Sequence, residues 1–101
     1  MKKLYIFCSA GMSSSLLADK MQKYANEKNL DIEVKFFPES KIRDNIKLAD
    51  IALLSPQVKY LQKGLKDNYA EKNIYLIEMM DYGLVNAESI LNKCLSKFPI
   101  L

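Results

Sequence analysis

The sequence feature that most constrains the fold is a change of pattern near the N-terminus. Residues 4–7 form an uninterrupted apolar run, as expected for a strand that is buried on both faces. From Leu16 onward the apolar residues follow helical spacing, and one stripe is formed by Leu17, Met21, Tyr24 and Lys28. Between the two patterns lie Cys8 and residues 9–15, which are all small or polar except Met12. This order predicts a strand, a polar loop and a helix, with Cys8 at the turning point.

The rest of the chain repeats the alternation of strand and helix. Further strands are predicted at residues 31–37, 50–55 and 74–78, and further helices at residues 39–48, from Pro56 onward, and from Asn86 or Ala87 to Pro99. The first helix is predicted at residues 13–28, and residues 79–83 are predicted as a loop. The chain of 101 residues has the length of one domain, which we expect to span residues 1–101.

The patterns of the strands predict their order in the sheet. The second strand alternates polar and apolar residues, which is typical of an edge, whereas the first and third are apolar and therefore central. The predicted fold class is α/β: a four-stranded parallel open sheet in the order 2-1-3-4, with helices on both faces and a P-loop-like Cys loop after strand one. Ligands bind such sheets beyond the carboxyl ends of the strands where the order reverses, which is beside Cys8.

Spacing also predicts which side chains face the core. The first helix is expected to end at Asn29 as its C-cap. Cys94 shares a helical stripe with apolar neighbours and is therefore predicted to be a core residue. The other residues predicted to face inward are Ile42, Ile46, Leu48, Val58, Leu61, Leu65 and Tyr69.

The loop after the first strand has the composition of an anion site. Free amides at a helix start, together with the helix dipole, attract phosphate, and Gly11 permits close backbone approach. Four hydroxyl groups add hydrogen-bond donors, at Ser9, Ser13, Ser14 and Ser15. A thiol in this position should have a pKa below its ordinary value, so Cys8 would be a nucleophile for covalent phosphoryl transfer. The alternative is that the serines only cap the helix and Cys8 is a small core residue.

Composition excludes several other classes of function. The chain has no histidine, which removes His-based triads, His metal sites and a phosphohistidine on this chain. Cys8 and Cys94 form no CxxC motif, so neither a redox nor a zinc site is predicted, and we expect no cofactor. The net charge of +3 is scattered, which argues against nucleic-acid binding. The apolar run after Met1-Lys2-Lys3 is too short for a signal peptide or a membrane span, so export is not expected.

The segment Cys8-Ser9-Ala10-Gly11-Met12-Ser13-Ser14-Ser15-Leu16-Leu17 resembles the active-site loop of the enzyme IIB component of the bacterial sugar phosphotransferase system (PTS). The similarity is to the lactose/cellobiose/chitobiose class. It continues at Phe37-Pro38-Glu39, at residues 49–58 and at Asp81-Tyr82-Gly83, and so covers essentially the whole chain.

The resemblance implies a phosphocarrier. In that family the cysteine accepts a phosphoryl group from a histidine of the IIA partner and donates it to a sugar held by the membrane-embedded IIC partner. Carried over to this chain, Cys8 is the catalytic residue, residues 9–15 form the phosphoryl-binding loop, and the sugar is a β-linked disaccharide of the cellobiose or chitobiose kind. A free nucleophilic thiol fits a reducing cytoplasm, with transient association at the inner face of the membrane through IIC.

Other loops at the same sheet edge supply candidate rim residues. Pro56 and Gln57 follow the third strand, where Gln57 either donates to a phosphoryl oxygen or merely helps to start a helix. Tyr82, beside Asp81, has two interpretations. It is a functional residue that contacts a partner or covers the thiol, or it is only a surface aromatic beside a turn glycine. Glu39 either rims the edge or is the charge at a helix start. Met12 and Leu16 are expected to form an apolar patch that IIA and IIC use in turn.

Two alternatives to the carrier have different signatures. A cysteine phosphatase of the low-molecular-weight type has an arginine at the position that Ser14 occupies here, and no Lys or Arg occurs between Cys8 and Lys20. Asp81 is the only candidate for its general acid in a comparable loop. A non-enzymatic interaction module would need no reactive thiol. Without the arginine, we expect a thiophosphate that waits for an acceptor.

Overall fold

The structure is a computed structural model that describes residues 1–9 and 11–101, without the side chains of residues 11–14. One parallel sheet is formed in the order β2-β1-β3-β4 by β1 (Lys2–Cys8), β2 (Ile32–Pro38), β3 (Ile51–Leu54) and β4 (Asn73–Leu76). The α-helices are α1 (Gly11–Glu27), α2 (Ile42–Asn45), α3 (Gln62–Asn68), α4 (Met79–Gly83) and α5 (Ala87–Lys97). Segments of 3₁₀ helix are formed by Glu39–Lys41, Ile46–Leu48 and Pro56–Leu61. The predicted fold class and strand order are confirmed.

β1 lies at the centre of the sheet and is buried on both faces. Leu4 and Ile6 belong to the core beneath α1 and α5, while Tyr5 and Phe7 belong to the core on the opposite face. The second core is closed by side chains from α2, its flanking turns and the segment after β3, namely Ile42, Ile46, Val58, Leu61, Leu65 and Tyr69. Helices therefore cover both faces, and both burials stabilise the same strand.

The first helix ends where the sequence predicts. Asn29 adopts a left-handed backbone conformation (φ 57°), which asparagine tolerates better than most residues. The amide of Leu30 then donates to the carbonyl of Ala25 at 2.9 Å, as in a Schellman C-cap. The side chain of Leu30 packs against the core, so the cap also directs the chain into β2.

The exposed edge of β2 is covered by one side chain of α1. The Gln22 carboxamide donates to the carbonyl of Ile32 (2.9 Å) and accepts from the amide of Val34 (2.8 Å). These two bonds satisfy backbone groups that an edge strand leaves unpaired. The prediction that the second strand lies at the edge is confirmed.

Five local predictions need correction. The first helix begins at Gly11 and not at Ser13, so residues 11–15 belong to α1 and the loop before it is shorter than the predicted residues 9–15. Residues 79–83 form the single helical turn α4 and not a loop, since one turn is too short to show helical periodicity in sequence. Leu48 is 55% exposed because it lies two positions after the buried Ile46, on the other side of a 3₁₀ turn. The segment after Pro56 begins as a 3₁₀ helix that is kinked at Val58 before α3 starts. The fourth strand ends at Leu76, two residues before the predicted boundary.

A polar cluster joins α4 to α5. The Asp81 carboxylate, which is nearly buried, accepts from the Ser89 hydroxyl at 3.1 Å and from the Lys93 ammonium at 3.0 Å. Lys93 also binds Glu78. The hydrogen bond from Lys93, followed by that from Ser89, holds the pKa of Asp81 below its ordinary value despite desolvation by burial. The cluster therefore holds α4 in place while the connecting Val85 adopts a left-handed backbone (φ 50°) that is costly for a β-branched residue.

Truncating a buried leucine in the sheet should lower the stability much more than truncating an exposed one. Leu53→Ala on β3 removes a fully buried side chain and should lower the free energy of unfolding by about 2–5 kcal/mol. Leu48→Ala is the matched control and should change it by less than about 0.5 kcal/mol. Urea denaturation followed by circular dichroism measures both. A comparable loss in the two variants would contradict the position of Leu48.

The charge of Asp81 should make stability depend on pH. Its folded-state pKa is lowered, so its contribution is fully present above the unfolded value of about 4 and is lost as pH falls through the folded value. Asp81→Asn should therefore lower the urea midpoint at pH 7 and lower it less at pH 3. The exposed Asp67 on α3 offers a control, Asp67→Asn, that should change neither midpoint. An equal loss at both pH values would show that the carboxylate charge is not involved.

Candidate active site at the end of the first strand

Three loops converge on the thiol of Cys8. Cys8 is the last residue of β1 and is fully buried. Its Sγ atom donates to Oε1 of Gln57 at 2.7 Å and lies 3.3 Å from the hydroxyl oxygen of Tyr82. Gln57 follows β3 and Tyr82 follows β4, so polar groups from three parallel strands meet at one sheet edge. The chain brings them together because the carboxyl ends of parallel strands share an edge.

The thiol lies at the point where the strand order reverses. From β1 the chain passes first to β2 on one side and later to β3 and β4 on the other. α1 begins at Gly11, three residues after Cys8. The first amides of a helix have no acceptor within the helix and attract anions. The site therefore combines a thiol with the two features that favour anion binding in open α/β sheets.

Gln57 is held over the thiol by its backbone neighbours. The amide of Ser55 donates to the carbonyl of Phe7 at 3.1 Å, which joins the loop after β3 to β1. Pro56 starts the 3₁₀ turn, and Val58 anchors it in the core. The Gln57 carboxamide accepts from the thiol here, and a half-turn about its last side-chain bond presents its NH₂ group instead, which is a donor.

Tyr82 is positioned by α4. Its ring packs against the core beneath α1 and α5, and its amide donates to the carbonyl of Glu78 at 2.9 Å. The neighbouring Asp81 binds Ser89 and Lys93 on α5. The tyrosine hydroxyl therefore reaches the sulfur from an element that is bound firmly to α5.

The other predicted site residues occupy varied positions. Ser9 and Ser15 are exposed, Leu16 is 50% exposed, and Pro56 is half-buried. Glu39 starts the turn after β2, next to the Pro38 that pairs with Cys8, and accepts from the hydroxyl of Tyr60. The carboxylate of Asp81 is engaged by α5, as described above. The predicted roles of Ala10, and of the side chains of Gly11, Met12, Ser13 and Ser14, lie outside the described residues.

Sequence reasoning missed Ser55. It is fully buried directly after β3, and its hydroxyl has no hydrogen-bond partner among the described residues. A serine that follows a buried strand and precedes a proline gives only a weak signal, because the same pattern fits an ordinary helix start.

The second cysteine shows what an inert thiol looks like in this chain. Cys94 on α5 is fully buried and donates only to the carbonyl of Leu91 at 3.4 Å. Desolvation by burial raises its pKa to about 12, so it stays protonated at neutral pH. The prediction that Cys94 is a core residue is confirmed. Cys8 and Cys94 form no disulfide.

One groove of the described chain lies apart from the thiol. It has a volume of about 1010 Å³ and runs beside the core that contains Tyr5 and Phe7. Its lining includes Arg43, Tyr60 and Tyr69 but not Cys8.

Across residues 1–9 and 11–101, no group of three or more acidic or cysteine side chains is placed to hold a metal ion. In the same ranges, every helix is too short or too polar to span a bilayer.

The chain is similar to known proteins of one family. The family model "PTS system, Lactose/Cellobiose specific IIB subunit" matches residues 3–93. The oligo-beta-mannoside-specific EIIB component of Bacillus subtilis (strain 168) is 34% identical over 98 residues, which cover 95% of each chain. The galactose-specific EIIB component of Lactococcus lactis subsp. cremoris (strain MG1363) is 35% identical over 98 residues, which cover 89% of this chain and 90% of the relative.

Among solved structures, the lactose-specific IIB domain from Streptococcus pneumoniae has the same fold. The two superpose with a TM-score of 0.84 at 19% sequence identity, over 96% of this chain and 97% of that one. Since the family model matches nearly the whole length of the chain and a curated relative is 34% identical to it, the chain belongs to the lactose/cellobiose-specific IIB family of the phosphotransferase system.

Proposed function

We propose that this chain is a phosphocarrier, and that residues 1–101 act as one domain in which Cys8 carries the phosphoryl group. The observation that carries the proposal is the Cys8 thiol itself. It lies at the switch point of the sheet, three residues before a helix, with Gln57 and Tyr82 in contact with its sulfur. A nucleophile beside anion-attracting backbone suits covalent phosphoryl transfer.

In the first step, the phosphoryl donor is a phosphohistidine of the IIA protein. The Cys8 thiol loses its proton, and the thiolate attacks phosphorus in line with the bond to the imidazole nitrogen. An S–P bond forms as the P–N bond breaks, and the electron pair stays on the imidazole nitrogen, which takes up a proton. The free amides at the start of α1 and the turned Gln57 carboxamide stabilise the transferring oxygens.

In the second step, the phospho-form meets a sugar held by the membrane protein IIC. The oxygen of a sugar hydroxyl attacks phosphorus, the S–P bond breaks, and the electron pair returns to Sγ. The hydroxyl proton passes to the sulfur, directly or through water, which restores the thiol. We infer that the sugar is a β-linked disaccharide of the cellobiose or chitobiose kind, in keeping with the family description. This cycle places the protein in the cytoplasm, transiently at the inner face of the membrane.

Exposed apolar side chains support docking of both partners near the thiol. Leu16 is half-exposed on α1, and Met79 and Met80 precede Tyr82 on α4 with more than 70% of their surface exposed. Methionine side chains adapt to more than one partner. Since Cys8 is fully buried in the described form, docking must also expose its sulfur to admit the phosphoryl group.

The first prediction of this proposal concerns Cys8 itself. The wild-type chain, incubated with phosphoenolpyruvate, the general PTS proteins and a cognate IIA, should gain one phosphoryl group on the Cys8 peptide. Cys8→Ser should gain none and should fold normally, while Cys94→Ser should gain the group as the wild type does. Intact-mass spectrometry and peptide mapping at once after mixing measure this.

Three results would contradict the proposal. Phosphorylation that persists in Cys8→Ser would remove Cys8 from the mechanism. A wild-type chain that gains no group from a competent IIA but hydrolyses an aryl phosphate would be a phosphatase, and one that does neither would be an interaction module.

A second prediction concerns Gln57. Gln57→Glu keeps the size of the side chain but places a negative charge against the thiolate and the phosphoryl oxygens. Acceptance from IIA at neutral pH should slow by about tenfold or more, because the carboxylate repels both groups. Gln62→Glu, on the half-buried start of α3, is the matched control and should leave the rate unchanged. Rapid-quench measurement of phosphoryl acceptance gives both rates, and equal rates for the wild type and Gln57→Glu would rule out contact between Gln57 and the transferring group.

A further inference from the structure

The hydroxyl of Ser55 is buried and makes no hydrogen bond to the described residues. Ser55 is fully buried, and its Oγ atom has no hydrogen-bond partner among the described residues. A buried hydroxyl that makes no hydrogen bond loses its interaction with water and gains nothing in return. Such groups are rare in folded proteins, and each one calls for an explanation.

The backbone places Ser55 beside Cys8. In the pairing of β1 with β3, Phe7 lies opposite Leu54, so one further step along both strands brings Cys8 opposite Ser55. The amide of Ser55 donates to the carbonyl of Phe7 at 3.1 Å, which continues the ladder by that step. The backbone of Ser55 is still extended (φ −68°, ψ 157°), so the alternation of strand side chains also extends to it.

The same alternation places both side chains on one face of the sheet. Ile6 and Leu53 face the core beneath α1 and α5, and Phe7 and Leu54 face the opposite core. Cys8 and Ser55 come next and therefore face the α1 side. Neighbouring strands lie about 4.8 Å apart, so the two side chains are direct neighbours.

We propose that the Ser55 hydroxyl donates a hydrogen bond to the Cys8 sulfur when that sulfur is negatively charged. In the described form the thiol is itself a donor, to Gln57, and a neutral thiol is only a weak acceptor. The thiolate is a strong acceptor, because hydrogen bonds to charged groups are about twice as strong as neutral ones. Rotation of Ser55 about its first side-chain bond, between staggered positions, turns the hydroxyl toward the sulfur.

This hydrogen bond would act at two points of the cycle. It would stabilise the thiolate that attacks the donor, and it would stabilise the sulfur again as the S–P bond breaks and the electron pair returns. The role in transfer rests on the proposed function, whereas the effect on the free thiol does not. Ser55 thus makes the thiol more acidic without touching the phosphoryl group.

Other titratable groups around the site also have to be considered. Tyr82 on α4 lies 3.3 Å from the sulfur, and Glu39 after β2 accepts from Tyr60. Asp81 and Lys93 bind each other between α4 and α5. Along α1, the first charged residues after Cys8 in the sequence are Asp19 and Lys20, and both are exposed. None of these groups changes when Ser55 is substituted, so a change in thiol acidity would report on the hydroxyl.

The test is the pH dependence of alkylation of Cys8 by iodoacetamide, with peptide mapping. In Ser55→Ala the pH–rate curve should move to higher pH, and the rate at mildly acidic pH should fall about tenfold, because the thiolate loses a charge-assisted hydrogen bond. The melting temperature should stay the same or rise, since an unpaired buried group is removed. Ser96→Ala, at an exposed position on α5, should leave the curve unchanged, and Cys94 should stay unlabelled in every variant.

Ser55→Gly also lacks the hydroxyl and should move the pH–rate curve as Ser55→Ala does. The second variant keeps the test valid if the first one folds poorly. An unmoved curve in the variant that folds would overturn the proposal, as would an equal shift in Ser96→Ala. Phosphoryl acceptance from IIA is measured in parallel on the wild type. A wild type that accepts no group while the alkylation curves differ would refute the carrier and leave the Ser55 hydrogen bond standing.

Discussion

Burial of β1 on both faces is the constraint on which the rest of the structure depends. Its apolar residues 4–7 complete one core beneath α1 and α5 and a second core on the opposite face. Neither layer of helices can cover its face unless this strand lies in the centre, between β2 and β3. The carboxyl end of a central strand is where neighbouring loops converge, so the packing of β1 also determines where the polar Cys8 lies.

The two cysteines are both buried but have different surroundings. Both are fully buried, yet Cys94 meets only a backbone carbonyl in an apolar core, which raises its pKa to about 12. Cys8 instead contacts a carboxamide and a phenol, and a buried serine hydroxyl lies beside it on the sheet. The polar groups around Cys8 come from the segments after neighbouring strands, and such groups are what a buried thiolate needs, because desolvation disfavours the charged form.

The helical turn α4 links the site to the surface. Asp81 and Lys93 join it to α5, Tyr82 extends from it to the sulfur, and Met79 and Met80 extend from it into solvent. A protein that docks on the two methionines therefore contacts the element that positions the tyrosine. For the proposed carrier, this arrangement supplies a physical route by which docking of a partner would change access to the thiol.

The sequence by itself determined the order of the elements, the class of the fold and the position of Cys8. These depend on local periodicity, on buried strand runs and on caps such as Asn29, all of which act over a few neighbouring residues. Tertiary structure alone decided the contacts of Gln57 and Tyr82 with the sulfur, the pairing of Asp81 with α5 and the cover that Gln22 gives to β2. It also decided the helical turn at residues 79–83, the exposure of Leu48 and the burial of Ser55. Each of these depends on the register between strands or on packing between elements distant in sequence, and no local pattern carries that information.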